Sequence, residues 1–440
     1  MWAWWSRRCS LRDGGRIEAA IRVLTEIETA RWPARLALKA WSDSARYAGS
    51  GDRAFVAGLV LDALRRRRSA AWRMESDSPR GTVLGVLALH WNWPPDRIAA
   101  AFAEAPHGPG ALNPGECGRL SAPLDLSGAP DAVAADVPDW LAPSFARVFG
   151  DRVRLEGDAL ARRAPVDLRV NTLKSDPARA LKAAGPLGAH PVPGLPLALR
   201  IDPPVAAERT PSVESLPEFV KGWMEVQDAG SQLAAACAGE VKGLQVLDLC
   251  AGGGGKTLAL AAAMGSTGQI YAYDSDARRL ADTVRRAERA GVRNLQVRTP
   301  LRPDPLKDLE GRMDLVFIDA PCSGSGAWRR HPDTKWRLTP DALARRQADQ
   351  DSVLDAGVAF VRPGGRLVYV TCSVLAEENE DRVAAFLGRH RDFRVLPATD
   401  DPHWLPRLTA EGYLRLTPAS SDTDGFFVAV LARADGRTQA

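Results

Sequence analysis

Cysteine is scarce in this chain. Six thiols are scattered through 440 residues with no pair at Cys-x-x-Cys spacing, which signals neither a zinc site nor a disulfide framework and fits a reducing cytosol. Long apolar runs are also missing. None approaches the roughly 20 residues of a membrane span, so a soluble, cytoplasmic, monomeric protein with no membrane partner and no metal is expected. A secretory signal is lacking too, because the opening Met1-Trp-Ala-Trp-Trp-Ser-Arg-Arg8 puts its basic residues after a short apolar patch rather than before a long one. It reads as a frayed or mis-started terminus. Lysine is rare, 8 against 50 arginines, a bias that genome composition alone can produce.

The composition is that of a globular chain, 45% hydrophobic and 25% charged. Its length exceeds the roughly 250 to 300 residues at which one core stops growing, so two or more domains are expected. Charge is uneven: residues 1–80 hold 16 Lys+Arg against 9 Asp+Glu, and the remainder holds 42 against 45. With Arg65-Arg-Arg-Arg68 closing a helical stretch, this excess suits a polyanion, although four arginines at a helix end also form an ordinary solvated terminus. Residues 1–104 read as helical, with Phe55, Val56, Leu59, Val60 and Leu64 at helical spacing and Pro94-Pro95-Asp96 opening a further helix. Residues 105–137, rich in Pro, Gly, Ala and Asp without periodicity, read as a linker. A small α+β subdomain is expected over 138–222, with strands at Val166 to Thr172 and Leu197 to Ile201. From 223 to 435, strands and helices alternate, which implies a doubly wound parallel sheet.

Within that sheet, three buried-strand segments end abruptly in small or polar residues, where an open parallel sheet places its chemistry. Gln245 to Leu249 runs into Cys250-Ala251-Gly252-Gly253-Gly254-Gly255-Lys256-Thr257. Met313 to Ile318 runs into Asp319-Ala-Pro-Cys322-Ser, and Arg366 to Val370 into Thr371-Cys372-Ser. Consecutive glycines before a helix let a ligand approach the backbone, and Asp274, 22 residues after Gly252 at the end of the next strand, can accept from ribose hydroxyls. That arrangement serves NAD and S-adenosylmethionine alike. A dinucleotide fingerprint from Gly252 also wants a third glycine where Thr257 stands. Cys322 and Cys372 lie at strand ends followed by serine, which favours nucleophiles over inert buried thiols.

These runs, together with Leu168-Arg-Val-Asn-Thr-Leu-Lys174, Val226-Gln-Asp-Ala-Gly-Ser-Gln232 and Asp424-Gly-Phe-Phe427, form an ordered set that resembles the RNA cytosine-5 methyltransferases of the RsmB or Sun kind. The resemblance implies a Rossmann-like methyltransferase sheet that binds S-adenosylmethionine through the glycine turn. It implies a last strand, Phe426 to Leu431, at the sheet edge. It assigns addition to carbon 6 of cytosine to Cys372 and help with product release to Cys322. Asp319 is placed to hydrogen-bond the ring edge or to contact the cofactor near its sulfonium, and Lys256 to favour a nearby thiolate. RNA contacts are expected at Arg169 and Asn171, and at Arg329, Arg330 and Lys335 in the loop Trp328–Trp336. Asp52-Arg-Ala-Phe55 and the apolar pattern after it resemble the NusB-like RNA-binding helical domain. Small-subunit rRNA is the expected substrate, with tRNA, a DNA methyltransferase reading and a non-catalytic assembly factor as rivals. Two departures stand out. Gly252 and Gly253 replace the family's Ala-Pro, which predicts a looser turn, and Arg298-Thr-Pro-Leu301 lacks the acidic residue usual after the third strand.

Overall fold

The computed structural model describes residues 11–436 apart from 124 and 205–211; the opening tryptophan-rich run and Cys9 lie outside them. The chain divides into two compact units. One runs to Arg163 and takes in Trp328–Leu338, and the other holds Ala164–Asp202 and most of the remaining chain.

The first unit is helical because its apolar residues recur at helical spacing and close on one another. Helices Asp13–Ala30, Ser50–Arg65, Pro79–Leu89 and Pro95–Phe102 bury Ile17, Leu59, Leu84, Leu87, Ile98 and Phe102 in one core. Residues 105–137 are not a linker. Asn113 caps the helix Pro114–Ser121 by accepting from Glu116 N–H (2.9 Å), and Glu116 pairs with Arg80 (2.8 Å). Farther on, Asp136 is fully buried and accepts from Ser69 N–H and Oγ (3.0 and 2.8 Å). The segment is tied to the helices by charged hydrogen bonds that a composition reading cannot register.

In the second unit, β1 (Val166–Val170), β2 (His190–Val192), β3 (Leu195–Ile201) and β4 (Met224–Val226) form an antiparallel sheet in the order β2-β3-β1-β4. The small subdomain therefore extends past residue 222. The larger sheet contains β5 (Gln245–Asp248), β6 (Gln269–Tyr273), β7 (Leu295–Arg298), β8 (Met313–Asp319), β9 (Val361–Thr371), β10 (Phe393–Leu396), β11 (Leu414–Leu416) and β12 (Phe426–Arg433). Its order is β10-β12-β9-β8-β5-β6-β7, with β11 also on β12. Strands β5 to β9 run parallel, and β12 is antiparallel to β9. The doubly wound sheet is as expected, but β12 is not at the edge. It is covered by β9 on one side and by β10 and β11 on the other, and its first six residues are buried as an interior strand requires. The strand order reverses between β5 and β8, so their carboxyl ends open the crevice in which such sheets bind ligands.

Candidate active site

The turn after β5 is closed on one side and open on the other. Gly252 and Gly254 have φ of +55° and +80°, a region costly to any residue with a Cβ. A Cβ on Gly254 would meet Thr283 Cγ2 at 2.8 Å, whereas one on Gly255 would meet nothing within 4 Å. The turn predicted to be loose is in fact pinned. Gly252 N–H donates to Asp274 (2.8 Å), Thr283 Oγ1 to the Gly252 carbonyl (3.0 Å), and Arg286 Nη1 to the Gly253 carbonyl (2.5 Å). Arg286 is itself held by buried Glu225 (3.1 Å). These bonds take over the ordering that a proline supplies through restricted φ.

Asp274 is buried and braces the turn with Oδ2, while Oδ1 accepts from Asp276 N–H (2.8 Å) and has a second lone pair able to accept another hydrogen bond. Beyond the turn, the first N–H groups of the helix Gly255–Ala263 are not used by its own ladder. Exposed backbone donors and a carboxylate acceptor fit an adenosyl group, and the exposed Arg279 guanidinium lies over Gly252, 3.4 Å from Asp274 Oδ2. Behind the turn, Asp248 accepts from Thr257 Oγ1 (2.6 Å), and its other oxygen has no partner. Burial pushes its carboxyl up to about 7 against that hydrogen bond. Cys250 and Ala251 carry the chain over it, and burial also raises the Cys250 thiol. After β7, Arg298 pairs with Asp308 (2.8 Å), so the missing acidic residue has a cation in its place.

Across the crevice, β8 and β9 deliver the two thiols to one point. Adjacent parallel strands that end in register bring Cys322 Sγ and Cys372 Sγ to 3.4 Å although 50 positions separate them. The Cys322 thiol is held well above its usual range by its hydrogen bond to Cys372 and by burial. Lys256, on the helix after the glycine turn, donates to Asp319 Oδ2 at 2.7 Å. Burial would lower its ammonium, but Asp319 and the charge of the Cys372 sulfur outweigh it and raise the group. A cation, a carboxylate and two sulfurs thus share one crevice.

The expected RNA contacts fare differently. Arg169 is buried and donates to Gln227 Oε1 (2.7 Å), and Asn171 Nδ2 donates to the carbonyls of Gly222 and Ala290 (both 2.8 Å). They hold the small sheet to its neighbours and are not an exposed surface. The Trp328–Leu338 segment is built into the helical unit. There Trp328 stacks on Phe145 (5.8 Å, 5°), Arg329 is buried, and Lys335 Nζ donates to the Arg65 carbonyl (3.1 Å). Arg330 is half-buried and His331 exposed. Arg329 and Lys335 are thereby corrected from surface contacts to interior ones. The basic run is likewise engaged: Arg65 pairs with Asp62 (2.7 Å), Arg66 with Asp158 (2.7 Å), Arg67 with Glu28 (3.0 Å) and Arg68 with Asp139 (2.7 Å).

Three residues escaped the sequence reading. Glu378, Asn379 and Gln350 are fully or almost fully buried around the two thiol loops. The polar run Glu377-Glu-Asn-Glu-Asp381, a few residues after Cys372, is the visible sign of Glu378 and Asn379, and no such sign marks Gln350.

Residues 239–432 match the family described as 16S rRNA methyltransferase RsmB/F. The chain is 33% identical over 305 residues to a probable ribosomal RNA small subunit methyltransferase B of Synechocystis, an alignment covering 68% of this chain and 67% of that one. It is 35% identical over 304 residues to ribosomal RNA small subunit methyltransferase B of Erwinia tasmaniensis, covering 67% and 66%. The chain thus spans about two thirds of the length of these curated relatives. Among solved structures, a methyltransferase homolog protein from Pyrococcus horikoshii is similar at 29% identity and a TM-score of 0.57, covering 69% of this chain and 97% of that one. The crystal structure of PH0851, at 24% identity, shares the fold with a TM-score of 0.70 over 96% of this chain and 99% of its own.

Proposed function

This chain belongs to the 16S rRNA methyltransferase RsmB/F family, and from that premise we propose that it methylates carbon 5 of a cytosine in small-subunit ribosomal RNA through a covalent adduct on Cys372. S-adenosylmethionine is the cofactor, and when bound it supplies the electrophilic methyl group. The glycine turn 252–255 and Asp274 would hold it.

The observation that carries this reading is the 3.4 Å contact between two thiols at the ends of adjacent strands, with Lys256 and Asp319 beside them. Carbon 5 of cytosine is a weak nucleophile, and addition of a thiolate at carbon 6 makes the ring an enamine whose carbon 5 can take the methyl group. Cys372 is assigned the addition from its place in the run Thr371-Cys372-Ser373, the motif that carries the attacking thiol in the family this chain belongs to. Cys322, kept protonated by its hydrogen bond to Cys372 and by burial, hydrogen-bonds the departing Cys372 thiolate as the carbon 5 proton passes to water, its bonding electrons re-form the carbon 5–carbon 6 double bond and the Cys372–carbon 6 bond breaks. Asp319 orients Lys256 and faces the crevice with about a third of its side chain exposed, as an acceptor for the ring edge requires.

The reading is tested by incubating the purified protein with S-adenosylmethionine and an unmethylated small-subunit rRNA transcript, then digesting the RNA to nucleosides for mass spectrometry. 5-Methylcytidine is expected. A methyl group on another atom or another base would overturn the cytosine-5 assignment.

A further inference from the structure

Glu378 is a carboxylate with no exposed surface, and no ion pair among the described residues involves it. Burying a carboxylate with no cation beside it is costly, and hydrogen bonds have to offset that cost. Its hydrogen bonds show what it does. Oε1 accepts from Ser323 N–H (2.7 Å) and Gln350 Nε2 (3.0 Å), and Oε2 accepts from Ser323 Oγ. Gln350 Nε2 also donates to the Pro321 carbonyl (2.9 Å). The peptide groups on both sides of Cys322 are therefore anchored, one to Glu378 and the other to Gln350.

The next residue does the same for the other thiol. Asn379 is buried; its Oδ1 accepts from Thr371 Oγ1 (2.6 Å) and its Nδ2 donates to the Ser373 carbonyl (3.0 Å), so the residues flanking Cys372 are both tied to one side chain. The two braces cannot drift apart, because they are consecutive in a turn that is fixed in turn. Tyr369 Oη donates to the Glu378 carbonyl (2.6 Å), and the Glu378 and Asn379 N–H groups donate to Leu375 and Ala376 (both 3.1 Å).

We infer that Glu378 and Asn379 are a positioning pair that sets the thiol spacing, Glu378 holding Cys322 for release and Asn379 holding Cys372 for addition. The inference rests on the covalent reading above and adds a division of labour between two adjacent residues that touch neither substrate nor cofactor. A merely structural pair would weaken both steps together; a positioning pair separates them.

The test uses the full chain and two probes, an unmethylated small-subunit rRNA transcript and the same transcript carrying 5-fluorocytidine. In the presence of S-adenosylmethionine, fluorine leaves the methylated carbon 5 with no proton to remove, so the adduct on that RNA stays locked and reports addition and methyl transfer with release excluded. Glu378→Gln should form the locked adduct at the wild-type rate but accumulate about tenfold more adduct on ordinary RNA, seen by denaturing gel electrophoresis, because release is slowed. Asn379→Asp, which sets a carboxylate oxygen against the Ser373 carbonyl, should slow locked-adduct formation about tenfold with no accumulation on ordinary RNA. Ser323→Ala removes the hydroxyl arm of the Glu378 hold together with that hydroxyl's weaker contacts to Ser325 N–H and Ser373 Oγ (3.3 and 3.4 Å), and should shift release in the same direction, which keeps the inference open to refutation if Glu378→Gln fails to fold. Unchanged S-adenosylmethionine affinity in all variants shows the sheet to be intact. If both substitutions alter the same step, or alter both steps in proportion, the inference falls while the covalent reading stands. If wild-type protein gives no locked adduct, the covalent reading falls and takes the inference with it.

Discussion

Two lysines are almost equally buried in this molecule, and their ammonium groups shift in opposite directions. In the helical unit, Lys335 is pushed down to about 7 by burial, with Asp136 opposing and Arg65 and Arg66 adding to the fall. In the sheet unit, Lys256 is raised, because Asp319 at 2.7 Å outweighs the same desolvation. Burial alone does not decide the charge; the nearest counter-charge does. Lys256 keeps its ammonium beside a crevice with two sulfurs. Lys335 spends its donor on a helix-end carbonyl under Trp328 and Trp336. The comparison separates a charge held ready for chemistry from one consumed in packing.

The strongest way to break it lies at the sulfurs that Lys256 serves. Cys372→Ser should lower methyl transfer by at least about 10³-fold and form no covalent RNA adduct, because the attacking thiolate is gone. Cys322→Ser should let addition and methylation proceed but slow release, so an adduct accumulates that survives denaturing electrophoresis. If the adduct builds up with Cys372→Ser and vanishes with Cys322→Ser, the roles of the two thiols are reversed.

The lysines themselves give the next effect. Lys256→Met should lower single-turnover methylation about 10²-fold by removing a fixed charge from a desolvated site. Lys335→Met should leave that rate within about twofold, since its loss costs one hydrogen bond to a carbonyl in the other unit. Equal losses would mean that Lys335 also faces RNA.

This contrast marks what the sequence made legible. Cys322, Cys372, Asp319, Lys256 and the glycine turn were readable because each interrupts an apolar run at a strand end, and in a parallel sheet those ends share one face. Arg329, Lys335, Arg169 and Asn171 were misassigned because cations and amides near aromatics look alike whether they face solvent or a carbonyl. The 105–137 segment carried a legible helix start, Asn113-x-x-Glu116, that its Pro and Gly content masked. β12 was taken as an edge because β10 and β11 are only 4 and 3 residues long, too short to show a period. Glu378 and Asn379 showed only as members of the polar run 377–381, and nothing in the sequence ties them to their partners at 323, 350, 371 and 373, which only the folded chain brings together.

A smaller effect, on stability, comes from His90 in the helical unit. Burial, helped by Arg66, pushes its imidazole down to about 3 from an ordinary value near 6.5, and Nε2 has no partner. The unfolded chain therefore binds a proton between pH 6.5 and 3 that the folded unit does not. Stability is lost as pH falls through that window, by about 2 kcal/mol at pH 5. Thermal melts of His90→Gln and wild type should converge as the pH drops from 7 to 5, because the variant lacks this proton uptake. Parallel curves would mean that His90 is solvated and the helical core looser than described.

The smallest expected effect concerns the arginine run, and it bears directly on whether the helical unit's charges are consumed. Arg67 lies 3.0 Å from Glu28 and over the Trp336 ring, and Arg68 lies 2.7 Å from Asp139 with a further hydrogen bond to the Val137 carbonyl (2.6 Å). A phosphate would have to displace these partners, so the counterion release that two free arginines provide is already forfeited. For single-stranded RNA, two phosphate contacts contribute about 1.4 to the slope of log affinity against log salt. The Arg67→Gln, Arg68→Gln double variant should change the slope by less than about 0.5 in filter-binding titrations of the rRNA transcript between 50 and 200 mM salt. Any loss of affinity should be uniform across that range, as expected of a slightly loosened fold rather than a lost ionic contact. A slope reduced by the full value would return the run to the RNA surface and make the helical unit a second place where charge is held ready.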